Sequence, residues 1–498
     1  MVDLRLSANH KGERIVMNLT RIGIAVMNDM RENVNTDNDR QLVDIAKRWA
    51  AVMESRMPTD CGTNPEVIIG TETIKSIKTA RKIGRELAVA GCKQLVLIYH
   101  VWNFPFLIWP LLETFDTNAP VIEIANNDGK WSGNVGLLAT NGALSQAGIK
   151  TAKVIGSVED EQTQQSVIEW LRSAVTFTTL RGQVLALYGG HSMGMETGYF
   201  HLIPTIKTLG VTAFPTDQLW LEHVMQEVSE EEVMQGRQWF EDLLGERLHY
   251  DDALTPATLD MQIKLYLAIV SDITVNGYDF CGLKGQREFS ELVIDTDVTE
   301  MLLNDPYDWR GPKEPIVCAT EADANGALTM QVLKYIAGGL PTLFMDVRMY
   351  YNDLDLWDFC NSGQHASWYA KQSSNPHDNF SVINFYPALS RYFPAGGASV
   401  SFVAKPGVIT FARLGITDNK FYMVIAEGES AKLDRELELS LMQRTDPTWP
   451  HVFSKFPCSY SSLIDNLPAN HIHGVAGSWK QELIHFCYWA GIEARVLT

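Results

Sequence analysis

Glu321 and Asp346 each close a short apolar run, Ile316 to Ala319 and Thr342 to Met345, that reads as a β-strand. Between them Asp323 or Asn325 can cap a helix whose Leu328, Val332 and Ile336 recur every fourth residue, and Gly338, Gly339 and Pro341 end it. The pattern predicts a parallel βαβ unit, with both acids emerging at the carboxyl edge of one sheet, where open α/β sheets bind ligands. Neighbouring strands lie about 4.8 Å apart, close enough for two carboxylates to share one cation. Oxygen donors suit Mg²⁺ or Mn²⁺, and adding an imidazole favours Mn²⁺. Asn470-His471-Ile-His473 offers two imidazoles, on one face if the segment is a strand. A lone acid at a strand end is more often a cap or an ion-pair partner, so the case for a metal site rests on the pair.

A second constellation is Gly190-His-Ser-Met-Gly194, which follows a predicted strand and matches G-x-S-x-G. Ser192, Asp346 and His471 fall in the chain order of an α/β-hydrolase triad, and a serine hydrolase is therefore an alternative function. No oxyanion segment of the His-Gly-Gly type lies upstream, and short glycine-rich turns meet this pattern by chance. A small-residue turn near a ligand is the stronger reading. The turn lacks the Lys-Ser/Thr of a P-loop and the dinucleotide fingerprint. Trp102, Gln286, Tyr392 and Trp449 are further candidates, although isolated aromatics are more often core. His365, in Asn361-Ser-Gly-Gln-His365, reads equally as ligand or surface.

The elements that must position these residues alternate. Strands are expected at Arg21 to Met27, Glu66 to Gly70, Leu95 to Tyr99 and Val121 to Ala125, after a surface arm over residues 1 to about 20. Helices are expected at 37–57, 73–90, 141–147 and 159–178. A second series opens at Val184 to Tyr188 and runs through Gly210 to Phe214, a helix at 260–270 and Tyr278 to Cys281. From Ser399 onward, alternating segments (399–403, 407–414, 420–427) indicate antiparallel strands, followed by a helix over 478–490 and a strand over 494–497. The fold class is α/β: two doubly wound, Rossmann-like domains (1–172 and 173–348) and a β-rich C-terminal domain (349–498) supplying the histidine.

The 498 residues are 46% hydrophobic and 20% charged, as in a globular protein with sizeable cores. A formal net charge of −19 argues against nucleic acid or an anionic membrane as partner. The 7 cysteines show no CxxC spacing, and the N-terminus lacks a signal pattern, so a reduced cytoplasmic location is expected. The apolar run Leu95 to Leu112 is broken by His100, Asn103, Pro105 and Pro110 and reads as strand, turn and helix start.

Several segments resemble the L-fucose isomerase family, which is related to L-arabinose isomerase. They are Met301-Leu-Leu-Asn-Asp-Pro-Tyr-Asp308, Thr320-Glu-Ala-Asp-Ala-Asn-Gly-Ala-Leu-Thr-Met330, Asp346-Val-Arg348, Trp357 to His365, Tyr392 to Ser399, Trp449-Pro-His451 and Ala469 to Ile472. They run in family order from about Tyr278 to the C-terminus, with weaker likeness at Trp102 to Pro105 and Ser192 to Gly194.

The resemblance implies a metal-dependent aldose–ketose isomerase working through an enediol, and a homo-oligomer, commonly a hexamer. The family's metal ligands carry over onto Glu321, Asp346 and His471, with Mn²⁺ or another divalent cation. The two acids double as the proton-transfer pair; Glu321 is the favoured base, though the sequence does not separate their roles or exclude a hydride shift. Gln286, Tyr392, Trp449 and Asn470 fall at substrate contacts, and Trp102 would come from a neighbouring subunit.

One departure bears on the sugar. Where relatives open with Ile-Gly-Ile-Arg-Pro, this chain has Ile22-Gly-Ile-Ala-Val-Met27, and an acidic stretch runs from Glu227 to Asp252. The substrate expected is a monosaccharide, fucose- or arabinose-like or a modified hexose, anionic ones included. A non-catalytic sugar-binding protein of two α/β lobes is the other alternative.

Overall fold

The computed structural model describes residues 20–57, 65–127, 129–191, 193–362 and 365–498. The expected surface arm therefore lies almost wholly outside the described residues, as does Ser192 of the alternative triad.

The first layer is a five-stranded parallel sheet, order β2-β1-β3-β4-β5, of β1 (Arg21–Met27), β2 (Glu66–Ile69), β3 (Gln94–Tyr99), β4 (Val121–Ala125) and β5 (Thr151–Ile155). β3 sits in the middle with every residue buried, because helices cover both faces. β5 is a strand the sequence pattern does not announce: Lys153 and Ile155 face out, and its apolar run is short. The helix expected from residue 73 starts at Ile77, where Ser76 and Thr79 form a reciprocal capping box.

A second parallel sheet has the order β11-β8-β6-β7, with β6 (Val184–Tyr188), β7 (Thr212–Thr216), β8 (Phe280–Leu283) and β11 (Cys318–Thr320). Between the last two, β9 (Tyr307–Asp308) and β10 (Gly311–Pro312) make a small hairpin. The C-terminal part is antiparallel: β12 (Leu343–Tyr351), β13 (Leu356–Cys360), β16 (Gly407–Thr417), β17 (Lys420–Ser430), β18 (His451–Lys455), β19 (His471–Ala476) and β20 (Glu493–Val496). β14 (Asn384–Pro387) and β15 (Ala398–Ser401) pair separately. The order β16-β19-β12-β13-β18-β17 returns on itself through the β16–β17 hairpin, so six strands form a closed ring, with β20 added alongside β17. Closure leaves no free edge in the ring. Two doubly wound α/β sheets and a β-rich C-terminal sheet are the expected fold class.

The expected βαβ unit is where structure and pattern part. β11 ends the parallel sheet, but β12 does not pair with it; β12 runs antiparallel between β19 and β13. The carboxylates thus leave two different sheets and do not share one sheet edge. The reason lies in the connecting helix, Ala324–Ile336. Almost every one of its residues is buried, not only the stripe of Leu328, Val332 and Ile336. It shares a core with Phe280 and Ala319 of the parallel sheet and with Phe344, Ala412, Leu414 and Val475 of the ring. Its apolar residues are not confined to one stripe and its polar ones, Asn325, Thr329, Gln331 and Lys334, are buried with hydrogen-bond partners, so it spans the seam between the sheets.

Candidate metal centre and active site

Glu321 is aimed by its backbone. β11 stops at Thr320, and Glu321 (φ 58°) and Ala322 (φ 50°) are both left-handed. For residues with a Cβ this conformation is strained by about 1–2 kcal/mol each. The turn is pinned by Ala322 N donating to Leu283 O at 2.9 Å and Asp323 N donating to Thr320 O at 3.1 Å. Asp323 then caps the helix, accepting from Gly326 N at 2.8 Å.

Asp346 and His471 are aimed by a ladder. They stand directly opposite in the β12–β19 pairing, where side chains of opposed residues share a face. His471 Nε2 lies 3.4 Å from Asp346 Oδ1 and 3.3 Å from Glu321 Oε2. The imidazole is 2% exposed and the Glu321 and Asp346 side chains 12% and 24%. Three donors from two sheets therefore face one another at the seam.

The electrostatics are strong. Burial alone would depress His471, but hydrogen bonding to Asp323 and the Glu321 carboxylate beside the ring outweigh it and raise its pKa to about 9. Burial pushes the Asp346 carboxyl up, the His471 charge opposes this and the Glu321 charge adds to it. His473, two residues along the same face, differs: burial and then the Arg413 charge hold it well below the usual range. Its Nε2 accepts from Arg413 Nη1 at 2.9 Å. Only one of the two sequence imidazoles thus faces the acids.

Whether these residues suit a cation can be judged from His471. Its Nε2 is buried and makes no hydrogen bond, although two carboxylate oxygens flank it. Cis ligands on a divalent ion bonded at about 2.1 Å stand roughly 3 Å apart, close to the 3.3 and 3.4 Å observed. An N,O,O donor set is also the right chemistry for Mn²⁺. The residues fit the group.

Another cluster, Asp358, Cys360 and His451, places three donor atoms all within 4.8 Å of one another. Both His451 nitrogens are already used, Nδ1 with Asp358 Oδ1 at 2.8 Å and Nε2 with Asp446 O at 2.7 Å. We read it as a buried hydrogen-bonded prop, since no imidazole lone pair is left for an ion.

Asn470 adjoins the centre: its Nδ2 donates to Asp346 Oδ1 at 3.1 Å and its carbonyl accepts from Val347 N at 3.0 Å. Met195, from the turn after Gly194, lies 4.0 Å from Asn470 Nδ2 through its sulfur, which brings the glycine-rich turn to this site. Gln286 follows β8, the direct partner of β11, and so shares a sheet edge with Glu321. Trp449 and Tyr392 stand 6.1 Å apart, and the guanidinium of Arg348 lies 5.4 Å from the Trp449 ring. Trp102 does not join them; its ring contact is Phe104, at 6.4 Å. His365 is a core residue, its Nε2–H donating to Phe344 O at 2.7 Å while burial drives its pKa down to about 3.

Three residues escaped the sequence reading. Asp323 was legible only as a cap. Arg413 is a charge inside the apolar strand Ile409-Thr-Phe-Ala-Arg413-Leu, an anomaly that flags a buried partner. Arg348 occupies a β-bulge, the unpaired residue between Val347↔Phe359 and Met349↔Asp358; bulges re-aim side chains beside active sites. No local pattern marks that bulge.

Two doubly wound sheets, a closed antiparallel ring and acids converging on an imidazole at the seam define an α/β enzyme with a polar centre between sheets. Sequence models of three L-fucose isomerase domains match the chain: the first N-terminal domain over residues 19–182, the second over 274–338 and the C-terminal domain over 359–497. The L-fucose isomerase of Citrobacter koseri is 24% identical over 93% of this chain and 88% of its own. That of Bacteroides thetaiotaomicron is 24% identical over 93% and 91%, and that of Vibrio vulnificus 23% over 87% and 84%. The chain belongs to the L-fucose isomerase family. It is an intramolecular oxidoreductase, an aldose–ketose isomerase acting on a sugar. Among the described residues no helix is long and apolar enough to cross a membrane.

Proposed function

We propose that the chain is a metal-dependent aldose–ketose isomerase whose cation is held by Glu321, Asp346 and His471. The observation that carries this is the buried, unbonded His471 Nε2 between two carboxylates. A divalent cation there, Mn²⁺ by preference, would polarise the sugar carbonyl and stabilise the negative charge developing on it. Glu321 acts as base toward the C–H beside the carbonyl, because Asp346 Oδ1 already accepts from Asn470. Asp346 moves the hydroxyl proton, and return of the abstracted proton to the neighbouring carbon converts the enediol to product.

In this reading Asn470, Gln286, Tyr392 and Trp449 are the sugar contacts. Trp102 would have to arrive from another copy of the chain, in a homo-oligomer for which a hexamer is the favoured size. The substrate is a monosaccharide, fucose- or arabinose-like or a modified hexose. Neither alternative function has a specific observation in its favour, and in place of a triad two acids crowd the Nε2 side of His471.

The test is ketose formation across a panel of aldoses, deoxy and anionic ones included, with chelator-stripped protein. Activity is expected to vanish on stripping and return with Mn²⁺; indifference to the chelator sinks the reading. In deuterated water, deuterium at the transferred position is expected. Its absence would replace the carboxylate roles with a hydride shift.

A further inference from the structure

Beneath His471 lies a second charged group that the reaction scheme does not use. Asp323 is 1% exposed and accepts from three partners. Its Oδ2 faces His471 Nδ1 at 2.8 Å, Arg413 donates Nη1 to Oδ2 at 2.6 Å and Nη2 to Oδ1 at 3.1 Å, and Gly326 N donates to Oδ1 at 2.8 Å. Arg413, equally buried, is itself tied to His473 Nε2 at 2.9 Å and Thr197 O at 3.1 Å. Resting on the assignment of Glu321, Asp346 and His471 as cation ligands, we propose that Asp323 and Arg413 are positioning residues that present the His471 Nε2 lone pair to the cation.

The hydrogen-bond chemistry is directional. An ionised carboxylate only accepts, so the nitrogen facing Asp323 must carry its hydrogen, and a metal can meet only Nε2. Such a partner fixes both ring orientation and tautomer of a ligating histidine. Asp323 cannot swing away, because the helix N-terminus and the Arg413 fork hold it from two other directions. Space is denied as well. A Cβ on Gly326 would stand 2.9 Å from Asp323 Cγ and 3.0 Å from His473 Cε1, and one on Gly198 3.3 Å from Asp323 Cα.

The same network reaches the substrate side. Thr197 O accepts from Asn325 Nδ2 at 2.8 Å as well as from Arg413. That anchors the loop whose Met195 touches Asn470. One buried pair thus orients the imidazole and seats the loop beside the second carboxylate.

The rival account is purely structural: Asp323 caps a helix and neutralises a buried arginine. Asparagine caps as well as aspartate, which separates the two. Asp323→Asn alone strands the Arg413 charge and can unfold the chain, so the decisive variant is Asp323→Asn with Arg413→Met, which removes both charges and keeps the cap. Mn²⁺ titration of metal-free protein, followed by electron paramagnetic resonance, is expected to show binding weakened about 10- to 100-fold in this folded double variant, beside a thermal midpoint measured without metal. Unchanged Mn²⁺ affinity overturns the positioning role. Glu321→Gln is the parallel control. If it loses Mn²⁺ while the double variant keeps it, only the positioning role fails; if it binds as tightly as the parent, the ligand assignment fails too.

Discussion

Two regions of the molecule deliver carboxylates to one imidazole by different physical means. At the end of β11, Glu321 is held by two consecutive left-handed residues, a turn under strain. On β12, Asp346 is placed by register, opposite His471 in an antiparallel ladder, and no left-handed residue is involved. The first device is local and costs backbone energy; the second is long-range and costs only the ordering of two strands far apart in sequence. A site built half on each depends on the two sheets keeping their relative position.

The largest expected effect removes the equivalence of the two acids at the chemistry itself. Glu321→Gln and Asp346→Asn should each lower kcat by about 10²–10⁴-fold, the range for loss of a general acid or base, with circular dichroism unchanged. A loss confined to one of them would show that only one device serves proton transfer. Steady-state kinetics with saturating Mn²⁺ decides.

Backbone packing separates the regions next. A Cβ on Gly282 would lie 3.2 Å from Ala322 Cα, part of the strained turn, and 3.1 Å from Leu187 Cδ2. A Cβ on Gly474 of β19 would meet side chains only, the Ile409 Cγ2 branch methyl at 3.0 Å and the flexible tip of Met345, Cε, at 3.3 Å. Gly282→Ala should therefore destabilise by about 1–3 kcal/mol and cut kcat/KM through displacement of Glu321. Gly474→Ala, where no backbone atom stands in the way, should fall at the low end of that range, about 1 kcal/mol. Urea denaturation with parallel kinetics would show whether that order holds.

The smallest effect probes the strain directly. Ala322→Gly relieves a left-handed alanine worth about 1 kcal/mol, so the thermal midpoint should hold or rise slightly while kcat/KM falls a few-fold as Glu321 gains freedom. A rise in both would mean the strain contributes nothing to aiming the carboxylate.

Much of this was legible beforehand, and what was not has identifiable causes. Glu321 and Asp346 stood out because each ends an apolar run, and Asp323 only as one of two residues, with Asn325, able to cap the helix that follows. The pairing of β12 was illegible: Thr342-Leu-Phe-Met345 is equally apolar whether its neighbour is β11 or β19, and a strand carries no local mark of its partner. The clue that misled was the four-residue stripe of the 324–336 helix. A second set, Ala324, Ala327, Met330 and Leu333, is apolar as well, and a helix with two apolar stripes implies a second sheet across from the first.

By itself, the sequence determined the periodicities, the caps, the donor types and the family likeness, all of which depend on residues near one another in the chain or on motif order. Only the tertiary structure decided that β12 joins the ring so that Asp346 stands opposite His471, that His473 turns to Arg413 instead, and that Arg413 neutralises Asp323. Those outcomes follow from strand register and from burial. Register is set by which apolar faces find each other across stretches of about a hundred residues, and burial by what then closes over them.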